Sequence, residues 1–244
     1  MPASVTPTPS TPYEGKTDKA GRTRALILET ALSLVREHGY DRATMRAIAR
    51  EAGVSLGSAY YYFPSKEHLI QAFYARSHAE HLEVCEPILA RERKLEARLL
   101  GVLRAKFDTS RGDHPFAVAL FRSAADPASP LSPFSTDSAP TRDEALELMQ
   151  RVIEGSSAKL PPQLAPELPM LLWLYQMGLI LFWIHDDSQD QARSYRLMER
   201  TCALVCRLIR LAALPPLRPV VRGTVSLLRE LRDPAPTPAP SRGP

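Results

Sequence analysis

Thr44 to Lys66 reads TMRAIAREAGVSLGSAYYYFPSK. Met45, Ile48, Ala49 and Ala52 recur at helical spacing, and Gly53 stops the run. Thr44, Ser55 and Ser65 each stand where a helix N-cap belongs. The pattern predicts two short helices, Met45 to about Ala52 and Ser55 to about Phe63, joined by a glycine turn. Pro64-Ser65 breaks the chain and opens a longer helix, Lys66 to about Glu86. Two helices this short bury little surface and need a third beneath them. Arg22 to His38 supplies one, with Ile27, Leu28, Ala31, Leu34 and Val35 on its apolar side and Gly39 as its left-handed end.

The second short helix carries Tyr60-Tyr61-Tyr62-Phe63. Consecutive helical residues face different directions, so these four cannot all be core. At least one or two tyrosines must point outward. Beside Arg46 and Lys66 they make a surface able to touch base edges, thymine methyls and phosphates. The small residues Gly57, Ser58 and Ala59 would let that helix approach a groove floor closely. The free N–H groups that open the three helices favour phosphate, and Lys66 at a helix N-terminus needs a compensating anion. Charge agrees in sign. From Lys19 to Lys66 there are eight basic residues (Lys19, Arg22, Arg24, Arg36, Arg42, Arg46, Arg50, Lys66) against four acids (Glu29, Glu37, Asp41, Glu51).

These pieces together resemble the DNA-binding domain of the tetracycline-repressor (TetR) family. The resemblance rests on Ala31 to Gly39, Thr44-Met45-Arg46-x-Ile48-Ala49, Ala52-Gly53-Val54-Ser55, Gly57-Ser58-x-Tyr60-Tyr61-Tyr62-Phe63 and Ser65-Lys66-x-x-Leu69. It covers about Arg22 to Ser77. It implies an all-helical homodimer whose N-terminal helices bind operator DNA and whose C-terminal helices bind an effector and dimerise. By position, Thr44, Arg46, Ser55, Leu56, Gly57, Ser58, Tyr60, Tyr61, Tyr62 and Lys66 would face double-stranded DNA. Two departures stand out. Leu56 occupies a site that is often polar or basic in the family, and Tyr62 a common histidine position.

The rest of the 244 residues frames this segment. Hydrophobic residues make up 44% and charged residues 24%, with a net charge of +4, so the chain can bury a core and is not a polycation. Cys85, Cys202 and Cys206 make no disulfide framework and fit a reducing cytoplasm. The ends, Met1 to Tyr13 and Pro234 to Pro244, are dominated by Pro, Ala, Ser and Thr; the expected division is a disordered tail over 1–18, a helix-turn-helix domain over 19–66, a helical effector and dimerisation domain over 67–232, and a second tail over 233–244. No signal-peptide run is present. The apolar stretch Leu168 to Ile184 is short for a bilayer and is flanked by acids, so a buried helix is expected there and no membrane contact. After Pro87, helices are expected at about Glu92–Thr109, Pro115–Ala125, Arg142–Ser156, Glu167–His185, Gln189–Leu214 and Arg218–Arg232, with a loop from Asp126 to Pro140.

Gln189–Leu214 carries two apolar stripes: Tyr195, Met198, Cys202, Val205, Ile209, and Leu197, Thr201, Leu204, Leu208, Leu211. Two stripes need two partners, the domain's own core and the same helix of a second subunit; a monomer with one large core is the alternative. Phe121, Trp173, Gln176 and Trp183 are candidates for a small hydrophobic effector, and also read as plain core. His78, His81 and Cys85 share one helix face at near-ligand spacing, but a fourth ligand is missing. No cofactor or metal is assigned. Gly53-Val54-Ser55-Leu56-Gly57 matches a nucleophile elbow, which would need a strand before Ser55 where a helix is expected. The expectation is a ligand-released repressor on a pseudo-palindromic operator. The alternatives are a regulator without an effector, a metal switch and an esterase using Ser55.

Overall fold

The computed structural model describes residues 12–232, and these form helices and turns only. Ten α-helices run in order among the described residues: α1 (Pro12–His38), α2 (Met45–Glu51), α3 (Leu56–Tyr62), α4 (Lys66–Arg91), α5 (Leu95–Ser110), α6 (His114–Ala124), α7 (Ala139–Glu154), α8 (Leu168–Trp183), α9 (Ala192–Ala212) and α10 (Arg218–Arg232). The all-α class is as expected. Residues 1–11 of the first predicted tail and the whole of the second, 233–244, lie outside the described residues.

Three boundaries differ from the sequence reading. Helix α1 starts at Pro12 rather than Arg22, so residues 12–18 of the expected tail are helical; the segment lacks the apolar period that a sequence reading depends on. Helix α4 passes through Pro87 to Arg91. Proline removes one backbone donor there, but Cys85 and Leu89 on the buried side keep the helix seated. The chain divides into two compact units at other places than residue 66. The first takes the described residues up to Ser77 together with Gly112–Ser135; the second takes His78–Arg111 and the described residues from Thr136 onward.

In the first unit one cluster joins Ile27, Leu32 and Val35 of α1, Ile48 of α2, Ala59 and Phe63 at α3, Ile70 and Phe73 of α4, Phe116 of α6, and Leu131. Phe116 explains why α6 belongs here. Its ring lies 4.7 Å from that of Phe73 and meets Tyr40 edge-on at 6.2 Å. Each such aromatic contact adds about 0.5–1.5 kcal/mol beyond the area it buries. Arg36 of α1 and Asp113 beside α6 form an ion pair at 2.6 Å.

The second unit is organised around a buried arginine. Arg98 of α5 is 3% exposed. It donates to the carbonyls of Leu89 (2.6 Å) and Glu92 (2.8 Å) at the end of α4. It also reaches Arg151 (2.6 Å) and Val152 (2.9 Å) at the end of α7. The last carbonyls of a helix have no intrahelical partner and carry its negative pole, so one cation serves two helix ends at once. Elsewhere Phe107 of α5 stacks on Trp183 of α8 at 5.4 Å. Tyr175 of α8 bonds Thr201 of α9 at 2.6 Å. Asp186, between α8 and α9, accepts from the backbone and hydroxyl groups of both Ser188 and Ser194 and fixes the start of α9. Burial alone would raise its pKa, but these hydrogen bonds hold the carboxyl well below the ordinary range. Glu167 accepts from Arg229 at 3.1 Å and holds α10.

A polar cluster lies inside the same unit, where His78, His81 and Lys106 are all buried. His81 Nε2 lies 2.9 Å from the Val102 carbonyl, and His78 Nε2 lies 3.3 Å from Glu144. Burial, reinforced by the Lys106 charge, pushes His78 down to about 4 and His81 down to about 3. Burial likewise lowers Lys106 to about 8.

Two predictions follow from this packing. Gly155 follows α7, and a Cβ there would collide with the Arg98 guanidinium, which its four carbonyls hold in place. Gly155→Ala is expected to lose about 1–3 kcal/mol of stability in urea unfolding, although the backbone there suits alanine. The histidines stay neutral in the folded chain and take up protons when it unfolds below pH ~6.5. Their contribution is therefore complete above that pH and is lost as pH falls toward 4 and 3, with up to about two protons taken up per chain unfolded. Unfolding free energy measured from pH 7 to 5 should fall in the wild type and flatten in the His78→Gln/His81→Gln variant.

Candidate nucleic-acid interface

Each short helix of the first unit is built by its own cap. The Thr44 hydroxyl accepts from the Ala47 N–H at 3.2 Å and opens α2. After α2 the chain must reverse within three residues. Gly53 does this at φ +66°, a conformation that suits a residue without Cβ. Val54 N–H then bonds the Ala49 carbonyl at 3.0 Å. Ser55 accepts from the Ser58 N–H at 3.0 Å and opens α3. This hydroxyl is thus occupied as a helix cap. A helix and a turn precede it, not the strand that a nucleophile elbow requires.

The tyrosine run divides by helix geometry. Ala59 and Phe63 are sealed in the core at 0% and 1% exposure. Tyr62 is half-buried and packs against the same core. Tyr61 is 80% exposed and Tyr60 45% exposed. Tyr61 and Tyr62 meet edge-on at 5.1 Å, so the exposed ring rests on the half-buried one. Thr44, Arg46, Ser55, Leu56 and Gly57 are exposed, and Ser58 is half-exposed. Thr44, Arg46, Leu56, Tyr60, Ser65 and Lys66 line one open groove formed by the starts of α2, α3 and α4. Eight of the ten expected contact residues therefore lie on the exposed side of the two short helices, and Tyr62 is turned mostly inward.

Lys66 already has a partner within the chain. Its ammonium donates to the Tyr40 carbonyl at 2.6 Å and sits 3.8 Å from the centre of the Tyr40 ring. Burial lowers its pKa, with Asp41 and Glu67 acting the other way. The side chain ties the start of α4 to the turn after α1, on the groove's edge. Tyr40 gave no signal in the sequence as a site residue. Its place becomes visible only when α1 and α4 are packed. Arg24, on α1, lies 4.8 Å from the centre of the Phe63 ring and covers the end of α3.

Trp173, Gln176 and Trp183 lie on the buried side of α8 in the second unit. Among the described residues, Gln176 Oε1 has no hydrogen-bond partner. Phe121 falls in the first unit. His78, His81 and Cys85 are all buried, but among the described residues no three His, Cys, Asp or Glu side chains are grouped to hold a metal. No described helix is long and apolar enough to cross a membrane.

Residues 27–73 match the profile described as "Bacterial regulatory proteins, tetR family". Residues 98–227 match "Tetracyclin repressor-like, C-terminal domain". The fatty acid metabolism regulator protein of Bacillus subtilis (strain 168) is 27% identical over 92 residues, which are 38% of this chain and 47% of that protein. The match thus spans under half of that relative's length. The crystal structure of a tetR-family transcriptional regulator from Streptomyces coelicolor superposes with a TM-score of 0.59 at 23% identity, covering 84% of this chain and 89% of that one. That of Thermus thermophilus FadR, a TetR-family repressor in complex with lauroyl-CoA, gives 0.55 at 20% identity, covering 74% and 93%. At these identities the two structures speak to the fold. The two profiles take in both units, and the second alone spans more than half of the sequence: the chain belongs to the tetR family of bacterial regulatory proteins.

Proposed function

We propose that the chain is a transcriptional regulator that binds operator DNA as a homodimer and acts by binding rather than by catalysis. The observation that carries this is the exposed side of α3. Ala59 and Phe63 fix the helix from below, while Leu56, Gly57, Tyr60 and Tyr61 face out beside Thr44, Arg46 and Ser55. Tyrosine can donate to phosphate or pack on a thymine methyl, arginine can read guanine, and glycine permits a close backbone approach. Lys66 would add a phosphate contact from the groove's edge, since an ammonium has donors beyond the one given to Tyr40.

The dimer reading is supported by the second stripe of α9. Leu204, Leu208 and Leu211 are about half exposed, whereas Met198, Cys202 and Ile209 of the first stripe are buried. On α8, Leu174, Leu181 and Phe182 are also exposed. Four such helices, two from each subunit, would bury these faces together and set two α3 helices about 34–36 Å apart, one turn of duplex DNA. An effector that prefers a different spacing would release the DNA, which requires unequal affinity for the two states. Trp173, Gln176 and Trp183 on the inner side of α8 are the candidate lining of its site, with Phe121 the remaining candidate. A hydrophobic acyl compound is a reasonable first probe, given the names of two relatives. Such a regulator would work in the cytoplasm.

The test is fluorescence anisotropy with pseudo-palindromic duplexes selected from random sequence, at fixed salt. A specificity ratio of about a thousand over scrambled DNA, falling as salt is added, is the expected outcome. Tyr61→Ala and Arg46→Ala should each weaken specific binding about tenfold while leaving stability unchanged. Leu204→Glu/Leu208→Glu should yield a folded monomer by sedimentation and lose specific binding. The absence of any enriched sequence would overturn the reading.

A further inference from the structure

The outward side of α3 carries no charge and no amide. Ser55 to Phe63 contains no lysine, arginine, histidine, aspartate, glutamate, asparagine or glutamine. Ala59 and Phe63 are sealed in the core, and Tyr62 packs on it. What faces out is Leu56, Gly57, Tyr60 and Tyr61, with Ser55 at the helix start. The Ser55 hydroxyl is engaged as a cap, accepting from the Ser58 N–H at 3.0 Å.

Leu56 and Tyr60 are one helical turn apart, so they lie on a single face of α3. Leu56 is 37% exposed and Tyr60 45%. Together they are the α3 wall of the open groove. Every charged group of that groove comes from elsewhere: Arg46 from α2, Lys66 and Glu67 from α4, and Asp41 from the turn after α1. The first turn of the second helix is where a helix-turn-helix meets base edges. Here that turn presents leucine, and Gly57 beside it adds no side chain to hold the helix away.

The major groove distinguishes base pairs in two ways. One is the array of donors and acceptors, read by paired polar groups such as those of arginine, asparagine and glutamine; the other is the C5-methyl group of thymine. Leucine has no donor and no acceptor. A phenol hydroxyl donates or accepts singly, so it suits a phosphate or many base edges and separates base pairs poorly. We propose, on the DNA-binding reading of this face, that Leu56 is the specificity-determining residue of α3 and seats with Tyr60 against the C5-methyl group of a thymine. The helix then selects its operator by apolar contact, which requires approach to about 4 Å. Removing one methyl from water favours a thymine there by about fourfold over the same base without its methyl.

The experiment uses the intact chain and the duplex it selects from random sequence. Each thymine of that duplex is replaced in turn by deoxyuridine, which removes the methyl and leaves base pairing and hydrogen-bonding groups unchanged. Anisotropy should show affinity falling about fourfold at one thymine of each half-site. At the same position 5-methylcytosine should bind better than cytosine by a similar factor. Leu56→Ala should make the protein indifferent to the methyl, and Leu56→Met should keep the preference. Both variants should melt with the wild type, since Leu56 lies outside the core. The proposal is overturned if no thymine of the selected duplex responds to loss of its methyl, or if Leu56→Ala responds as the wild type does. A selection that enriches no sequence overturns the regulator reading itself, and this one with it.

Discussion

A helix of seven residues does not hold its shape alone in water. Everything in the first unit answers that constraint on α3. Ser55 closes its first turn, Ala59 lets it lie flat on the core, and Phe63 anchors its end. Removing a buried ring such as Phe63 would cost about 3–5 kcal/mol, a large share of a small unit's stability. The core beneath it draws on α1, α2, α4 and α6, so residues far apart in sequence serve one short element. Lys66 and Arg24 finish the work from outside, each lying over an aromatic ring.

The second unit solves a different problem. Its helices are long enough to form, but their ends must meet inside. Arg98 is the answer at one end, where α4 and α7 both point their carbonyl poles inward. Asp186 is the answer at the other, where α9 begins. A buried cation at two C-termini and a buried anion at an N-terminus are the same electrostatic rule used twice. Both ions are well satisfied by hydrogen bonds, which makes their burial tolerable.

How much of this could be read from the sequence depended on the range of the interaction. Gly39, Gly53, Thr44 and Ser55 act on their own neighbours, so the two short helices and their turn were legible to within a residue or two. The two stripes of α9 were legible for the same reason, since a helical period is local. Tyr60 and Tyr61 could be expected outside only as members of a run, and packing decided that Tyr62 turns in. The unit boundary was not legible. It rests on Phe116 meeting Phe73 and Tyr40, which no local pattern encodes. Arg98 was invisible because an arginine in a helix usually reads as solvated. The tie from Lys66 to Tyr40 was invisible for a related reason, since it spans 26 residues and no local pattern encodes it.

The division of labour along α3 bears on how such a protein changes over time. Ala59, Tyr62 and Phe63 attach the helix to the core, while Leu56, Gly57, Tyr60 and Tyr61 face outward. Substitutions at the outward positions therefore leave folding almost untouched. A lineage can explore new binding preferences there one residue at a time without passing through unfolded intermediates. The inward residues have no such freedom, and neither does the serine that starts the helix.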